Sequence, residues 1–214
     1  MTDEPDGTSS VSVEQASPRR TPTGCLIEVA ETLILTIIIF FLIQTFVAQP
    51  YQVHQESMET TLLSGQNVLV DKLTPRFDSY SRGDIVVFTP VLRTSSCEAQ
   101  PDDPDVGQVT PYIKRVIGEP GDTVDLRAGG VFINGVQLDE PYIRGVDTRQ
   151  LSDETSWVVQ PDRLFVLGDN RMNSVDSRSE SIGEVCVRDV IGRAWLRYWP
   201  LNALGILQTP VYPE

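Results

Sequence analysis

Two residues of this chain are of the types that can together open an acyl bond: a serine able to attack and a lysine able to take its proton. Ser57 lies in Tyr51-Gln-Val-His-Gln-Glu-Ser-Met-Glu-Thr-Thr-Leu62, nine positions past Ala48, the last residue of a long apolar run. Taken alone, a serine before a methionine reads as a turn residue. Lys114 stands in Tyr112-Ile-Lys-Arg-Val-Ile117. The alternation there predicts a strand with Tyr112, Lys114 and Val116 on one face and Ile113, Arg115 and Ile117 on the other. One of the two basic residues is therefore expected to face inward. A lysine flanked by Tyr112 and Val116 can lose solvation, which disfavours its ammonium form; the bland alternative is a surface lysine laying its stem along apolar neighbours. To act as a base near neutral pH, its pKa must fall from about 10.4 to about 7 to 8, worth roughly 3 to 4 kcal/mol. Arg115 cannot serve, because a guanidinium does not deprotonate in proteins.

A third segment, Gly168-Asp-Asn-Arg-Met-Asn-Ser-Val-Asp-Ser-Arg178, follows the apolar run Leu164–Leu167 and concentrates turn formers, hydroxyls and opposite charges. Asp176 and Arg178 are spaced to join an ion-pair network, and Ser174 could hydrogen-bond a neighbouring amine. A plain capping turn accounts for Asp169 and Asn170 equally well. His54 invites a Ser-His-Asp reading, but on an extended approach an offset of three puts it and Ser57 on opposite faces. Cys25, Cys97 and Cys186 show no CxxC spacing and accompany a single histidine, so no zinc site, and no other metal or cofactor, is implied. Cys97 and Cys186 could pair in an oxidising compartment or remain two isolated thiols.

These residues need elements to hold them. Thr32–Ala48 carries no formal charge, and Leu26–Ala48 adds only Glu28 and Glu31; as a helix it would extend roughly 34 Å, enough to cross a bilayer. A cleaved secretory signal would have a shorter core and a small residue where Phe46 stands. Arg19 and Arg20 precede the span and no Lys or Arg follows until Lys72, so the positive-inside rule places the N-terminus in the cytoplasm and the bulk outside. Glu28 and Glu31 then sit near headgroups. Residues 1–24 read as a disordered cytoplasmic tail, residues 25–48 as the transmembrane segment, and 49–214 as one extracytoplasmic domain. Within it, short β runs are expected at Asn67–Val70, Ile85–Phe88, Tyr112–Ile117, Thr123–Leu126, Val131–Ile133, Trp157–Val159, Leu164–Leu167 and Val190–Tyr198. Asn134-Gly135 carries the strongest hairpin signal, a two-residue turn with positive φ. Arg93–Gln108 and Tyr142–Ser156 read as surface elaborations, and Leu201–Leu207 is too short for a second span. With a net charge of −13 and no basic stripe, nucleic acid is not an expected partner.

At three of these segments and one strand the sequence resembles the bacterial type I signal peptidases, or leader peptidases. Ser57-Met-Glu-Thr-Thr-Leu62 resembles their nucleophile box and Gly83-Asp-Ile-Val-Val86 a structural strand. Lys114-Arg-Val-Ile-Gly-Glu-Pro-Gly-Asp122 resembles the general-base box, and Gly168-Asp-Asn-Arg171 with Ser174, Asp176, Ser177 and Arg178 the last box. The similarity covers about residues 25–199. It implies a mostly β catalytic domain with a smaller inserted β subdomain at about 127–157, preceded by one transmembrane helix. It also implies a Ser57–Lys114 dyad, Ser174 holding the amine, and Asp176 with Arg178 as supporting ion pair. Tyr51, Val53, Leu62, Tyr112 and Ile113 would line shallow pockets for the small residues found at −3 and −1 of secretory signal peptides. Thr60 replaces a common proline, and Gln55 and Glu56 replace the usual serine or glycine and glycine. The second oxyanion donor then falls to the Gln55 amide. Two other functions compete: a non-catalytic membrane-tethered β binding domain, which leaves the boxes coincidental, and a self-cleaving Ser-Lys regulator, which would have no use for the span.

Overall fold

Pro22–Phe46 winds into a 25-residue α-helix, α1. The computed structural model describes residues 22–73, 77–90, 97, 110–143, 155–210 and 212, with side chains from Leu26. Among these residues α1 is the one helix long and apolar enough to cross a membrane, over Leu26–Phe46. Leu33, Ile34, Leu35 and Ile43, which point in different directions around it, are all exposed, an arrangement that is stable against lipid rather than water. The chain divides at Phe41/Leu42 into two units, and the second carries every strand.

That second unit is two β-sheets. In chain order the strands are β1 (Ala48–Gln52), β2 (Asn67–Asp71), β3 (Ile85–Phe88), β4 (Tyr112–Gly118), β5 (Thr123–Arg127), β6 (Gly130–Ile133), β7 (Val136–Gln137), β8 (Ser156–Val158), β9 (Arg163–Leu167), β10 (Val185–Cys186), β11 (Val190–Trp199) and β12 (Gly205–Ile206). The larger sheet runs β1-β2-β11-β3-β4-β9-β10, with β12 added to β11; the smaller runs β7-β6-β5-β8. All eight strands expected from the sequence are present, and the smaller sheet is built from strands between Thr123 and Val158. The Asn134-Gly135 turn joins β6 to β7 with φ of 52° and 85°, the positive pair that a two-residue hairpin demands. The tail 1–21, most of the Arg93–Gln108 loop and residues 144–154 lie outside the described residues.

Burial explains the strand sequences. Val68 and Val70 of β2 alternate inward, as expected for a sheet with one wet face. β3 and β4 are different: Ile85–Phe88 and Lys114–Gly118 are buried at every position, because both strands lie in mid-sheet and are covered on both faces. This corrects the expectation that only one of Lys114 and Arg115 faces inward. One core cluster gathers Val53, Met58, Leu62, Val68, Val70, Ile85 and Val87 beneath the Ser57 turn. A second, around Ile117, Val124, Val131 and Phe165, joins the smaller sheet to β4 and β9. Cys97 and Cys186 form a disulfide across 89 residues of chain, tying Cys97 to β10, so the paired reading of these cysteines is the correct one.

Candidate active site

Ser57 sits in a single 3₁₀ turn, Glu56–Met58, directly after the extended Gln55. Met58 is fully buried and anchors the turn in the core. Asn170 fixes it from the other side. Its backbone N–H donates to Ser57 O (3.0 Å), and its Nδ2 donates to Glu56 O (3.1 Å). Lys114 approaches from the middle of β4, where Val86 is its partner across the ladder. Its Nζ donates to Ser57 Oγ at 2.7 Å and to Ile113 O at 3.0 Å. No part of Lys114 is exposed, and burial pulls its pKa from 10.5 down to about 8. The carboxylates of Asp176 and Asp169 partly oppose that fall, and the Arg178 charge reinforces it.

The last motif surrounds this pair with two buried ion pairs. Arg178 Nε meets Asp176 Oδ1 at 2.8 Å, and Arg178 Nη2 meets Oδ2 at 2.9 Å, while Asp176 Oδ2 also accepts the Gly168 N–H. Arg115 forks onto Asp169 with contacts of 2.8 and 2.7 Å and donates to Gly83 O. Asp169, which a capping turn could explain from the sequence, is thus a fully buried counter-ion. Gly83 has φ +95°, and a Cβ there would meet Thr209, Pro210 and Tyr212 at 3.0 to 3.2 Å. Only glycine lets the backbone carbonyl reach Arg115 at this point.

Ser174 is buried, and its Oγ has no hydrogen-bond partner; the second bond of the amine goes instead to Ile113 O. The structure does place Ser174 beside the turn. A Cβ on Gly168 would fall 2.2 Å from Ser174 Oγ and 2.5 Å from Ser57 O, so the last motif and the Ser57 turn meet at a point where only hydrogen fits.

Of the expected pocket residues, Tyr51, Val53 and Ile113 line a cavity of about 40 Å³, together with His54, Gln55, Val68, Val87 and Pro111. Leu62 does not line it and is wholly buried in the core cluster that also holds Val53, Val68 and Val87. Tyr112 packs edge-on against Phe88, its ring 5.3 Å from Lys114 Nζ. Gln55 is exposed at the cavity rim. Arg115, Asp169 and Arg171 stand in the motifs read from the sequence, but their pairing, and any place for Glu140 and Tyr142 in it, follows from sheet topology and leaves no mark in local patterning.

A hydroxyl held by a buried amine of lowered pKa is the working arrangement of a serine hydrolase that uses lysine as its base. Comparison with known proteins gives the family. The family described as "Signal peptidase, peptidase S26" matches residues 26–199, and the chain belongs to it. It is 40% identical over 185 residues to a signal peptidase I of Leptolyngbya laminosa, covering 86% of this chain and 85% of that protein. It is 32% identical over 187 residues to signal peptidase I S of Bacillus subtilis strain 168, covering 84% and 92%. A crystal structure of a signal peptidase I from Enterococcus faecalis V583 shares 28% identity, with 54% of this chain and 97% of that chain covered and a TM-score of 0.39.

Proposed function

We propose that this protein is a membrane-bound endopeptidase that removes signal peptides from secreted precursors, with Ser57 as nucleophile and Lys114 as general base. The observation that carries the reading is the 2.7 Å bond between a fully buried amine and the Ser57 hydroxyl. Neutral Lys114 takes the hydroxyl proton as Ser57 Oγ bonds to the scissile carbonyl carbon. The carbon–nitrogen bond then breaks, Lys114 returns the proton to the departing amine, and an acyl-enzyme remains. Lys114 next takes a proton from water, whose oxygen attacks the ester; the signal peptide leaves as a carboxylic acid and Ser57 Oγ regains a proton. The Ser57 N–H and the Gln55 amide are the oxyanion donors of this scheme, a pair whose second member is worth about 3 to 4 kcal/mol in such sites. Ser174 Oγ, buried with no partner, is suited to hold the amine once Ser57 has left it, and the Asp176–Arg178 pair supports that loop.

The small apolar cavity lined by Tyr51, Val53 and Ile113, with Gln55 two residues before Ser57 and Ile113 one before Lys114, supports a preference for small side chains at −1 and −3. Purified full-length protein in detergent should cut a secretory precursor after a small-x-small sequence, and replacing the −1 alanine with leucine should lower kcat/KM by at least tenfold. N-terminal sequencing of the product locates the cut; equal cutting after leucine would remove the pocket assignment.

Activity should follow the lysine. Because the reactive form is the neutral amine and its pKa is lowered to about 8, kcat/KM should rise about tenfold per pH unit below pH 8 and level off above it. A flat profile from pH 6 to 9 would exclude Lys114 as the titrating base.

The Cys97–Cys186 disulfide supports an oxidising, extracytoplasmic location for the β domain, as do Arg19 and Arg20 before the span and the lack of any Lys or Arg after it until Lys72. Protease added outside sealed spheroplasts should therefore digest the β domain. Protection of that domain until lysis would reverse the orientation.

A further inference from the structure

Three stretches far apart in sequence meet at the Ser57–Lys114 pair, and a fourth, outside all the motifs described so far, touches each of them. Thr60 Oγ1, three residues past Ser57, donates to Tyr142 O at 2.9 Å. The Tyr142 ring lies over the Arg115 guanidinium at 3.9 Å, one residue from Lys114. The Tyr142 hydroxyl bonds Glu140 Oε1 at 3.0 Å and the Tyr212 hydroxyl at 2.9 Å. Glu140 in turn pairs with Arg171, taking one contact of 3.0 Å from Nη1 and a second from Nη2. Arg171 Nε closes the circuit by donating to Gly168 O, next to the point where Ser57 O and Ser174 crowd together. Tyr142 was expected to open a surface elaboration. Instead its phenol is largely buried, and burial beside Glu140 raises its pKa and keeps it protonated.

We propose that Tyr142, fixed by Glu140, is a positioning residue for the dyad: it sets the separation of the Ser57 turn from β4 and so the reach of Lys114 to the hydroxyl. The inference rests on the dyad reading above. Arg115 and Arg171 are cations almost wholly out of water, so each must keep its partners in place. Residues 140–142 supply the carboxylate of Arg171, from Glu140, and the ring that covers Arg115, from Tyr142, while the carboxylate of Arg115 is Asp169; a bond of 2.7 Å between the reacting groups leaves little slack. In comparable sites about 1 Å of misplacement costs roughly a hundredfold in rate.

The test uses the full-length protein in detergent with a signal-peptide substrate. Tyr142→Ala should lower kcat about 30-fold or more with KM within about twofold, as expected when geometry at the reacting atoms is lost. Tyr142→Phe keeps the ring over Arg115 but drops the hydroxyl's bond to Glu140, and should lower kcat about three- to tenfold, between wild type and Tyr142→Ala. Thr60 is exposed, so Thr60→Val removes one tether without threatening the core and should lower kcat about three- to tenfold at unchanged Tm. A normal kcat in Tyr142→Ala, or a loss confined to KM or to Tm, would overturn the proposal. If Tyr142→Ala does not fold, a normal kcat in Thr60→Val overturns it instead. Ser57→Ala separates the two readings. If that variant is inactive while Tyr142→Ala turns over normally, positioning alone fails; if Ser57→Ala stays active, the dyad falls and this inference with it.

Discussion

Ser57→Ala and Lys114→Met should each lower kcat by about 10⁴-fold or more, and the double variant should be no worse than either alone, because groups that act as one unit are grossly non-additive. The reason lies in the geometry. Removing the hydroxyl deletes the atom that bonds to the carbonyl, and removing the amine leaves the hydroxyl with no base, since Ile113 O, the other partner of Nζ, is an acceptor that does not titrate. Methionine suits position 114 because the side chain is wholly buried: an unbranched apolar chain fills the space without leaving a charge to desolvate. Folding should therefore survive. Circular dichroism and Tm, measured beside product formation, separate loss of chemistry from loss of structure. Activity within tenfold of wild type in a well-folded Lys114→Met protein would rule out the lysine as base.

The second large effect is on stability. Asp169→Ala should cost about 3 to 5 kcal/mol, because it leaves the Arg115 guanidinium, 1% exposed, without the carboxylate it grips at two points. For a chain of this size that corresponds to a fall in Tm of roughly 6 to 20 °C. The Arg188–Asp189 contact is the useful contrast: at 3.6 Å and with the arginine side chain 30% exposed, its loss through Arg188→Ala should cost about 1 kcal/mol or less. Thermal unfolding of the two variants side by side decides the matter. Equal Tm values for both would mean that the buried pair contributes nothing to the fold.

Much of this molecule is legible in its sequence. The β runs are visible because alternation and β-branched residues mark them, and the Asn134-Gly135 turn because its positive φ values restrict the residues that can occupy it. Ser57 and Lys114 were reachable because their surroundings carry recognisable motifs. Local periodicity misjudged Lys114 and Arg115: alternation assigns them to opposite faces correctly, but it cannot say that β4 is covered on both. The short strands β10 and β12 have two residues each, below the length at which any pattern forms. Glu140 and Tyr142 were hidden for a different reason. Their partners Arg171, Arg115 and Tyr212 are 27 to 70 residues away, brought close only by the packing of β4, β9 and the chain end. Leu62 is buried in the same core cluster as Val53, Val68 and Val87, which line the cavity, and its place in the motif does not say how deep it lies.

The dry lodging of Lys114 also makes the folded state sensitive to alkali in a direction opposite to most proteins. Below pH 8 the folded chain must hold a buried ammonium that the unfolded chain keeps hydrated, so this one residue subtracts from stability. Between about pH 8 and 10 the folded form has shed that proton while the unfolded form still binds it, and the unfolding free energy grows with pH. Above pH 10 the trend reverses, because Tyr80, pushed up to about 12 by burial, stays protonated in the folded chain and ionises in the unfolded one. The same burial that readies the amine for proton transfer therefore gives the protein a reserve of resistance to mild alkali.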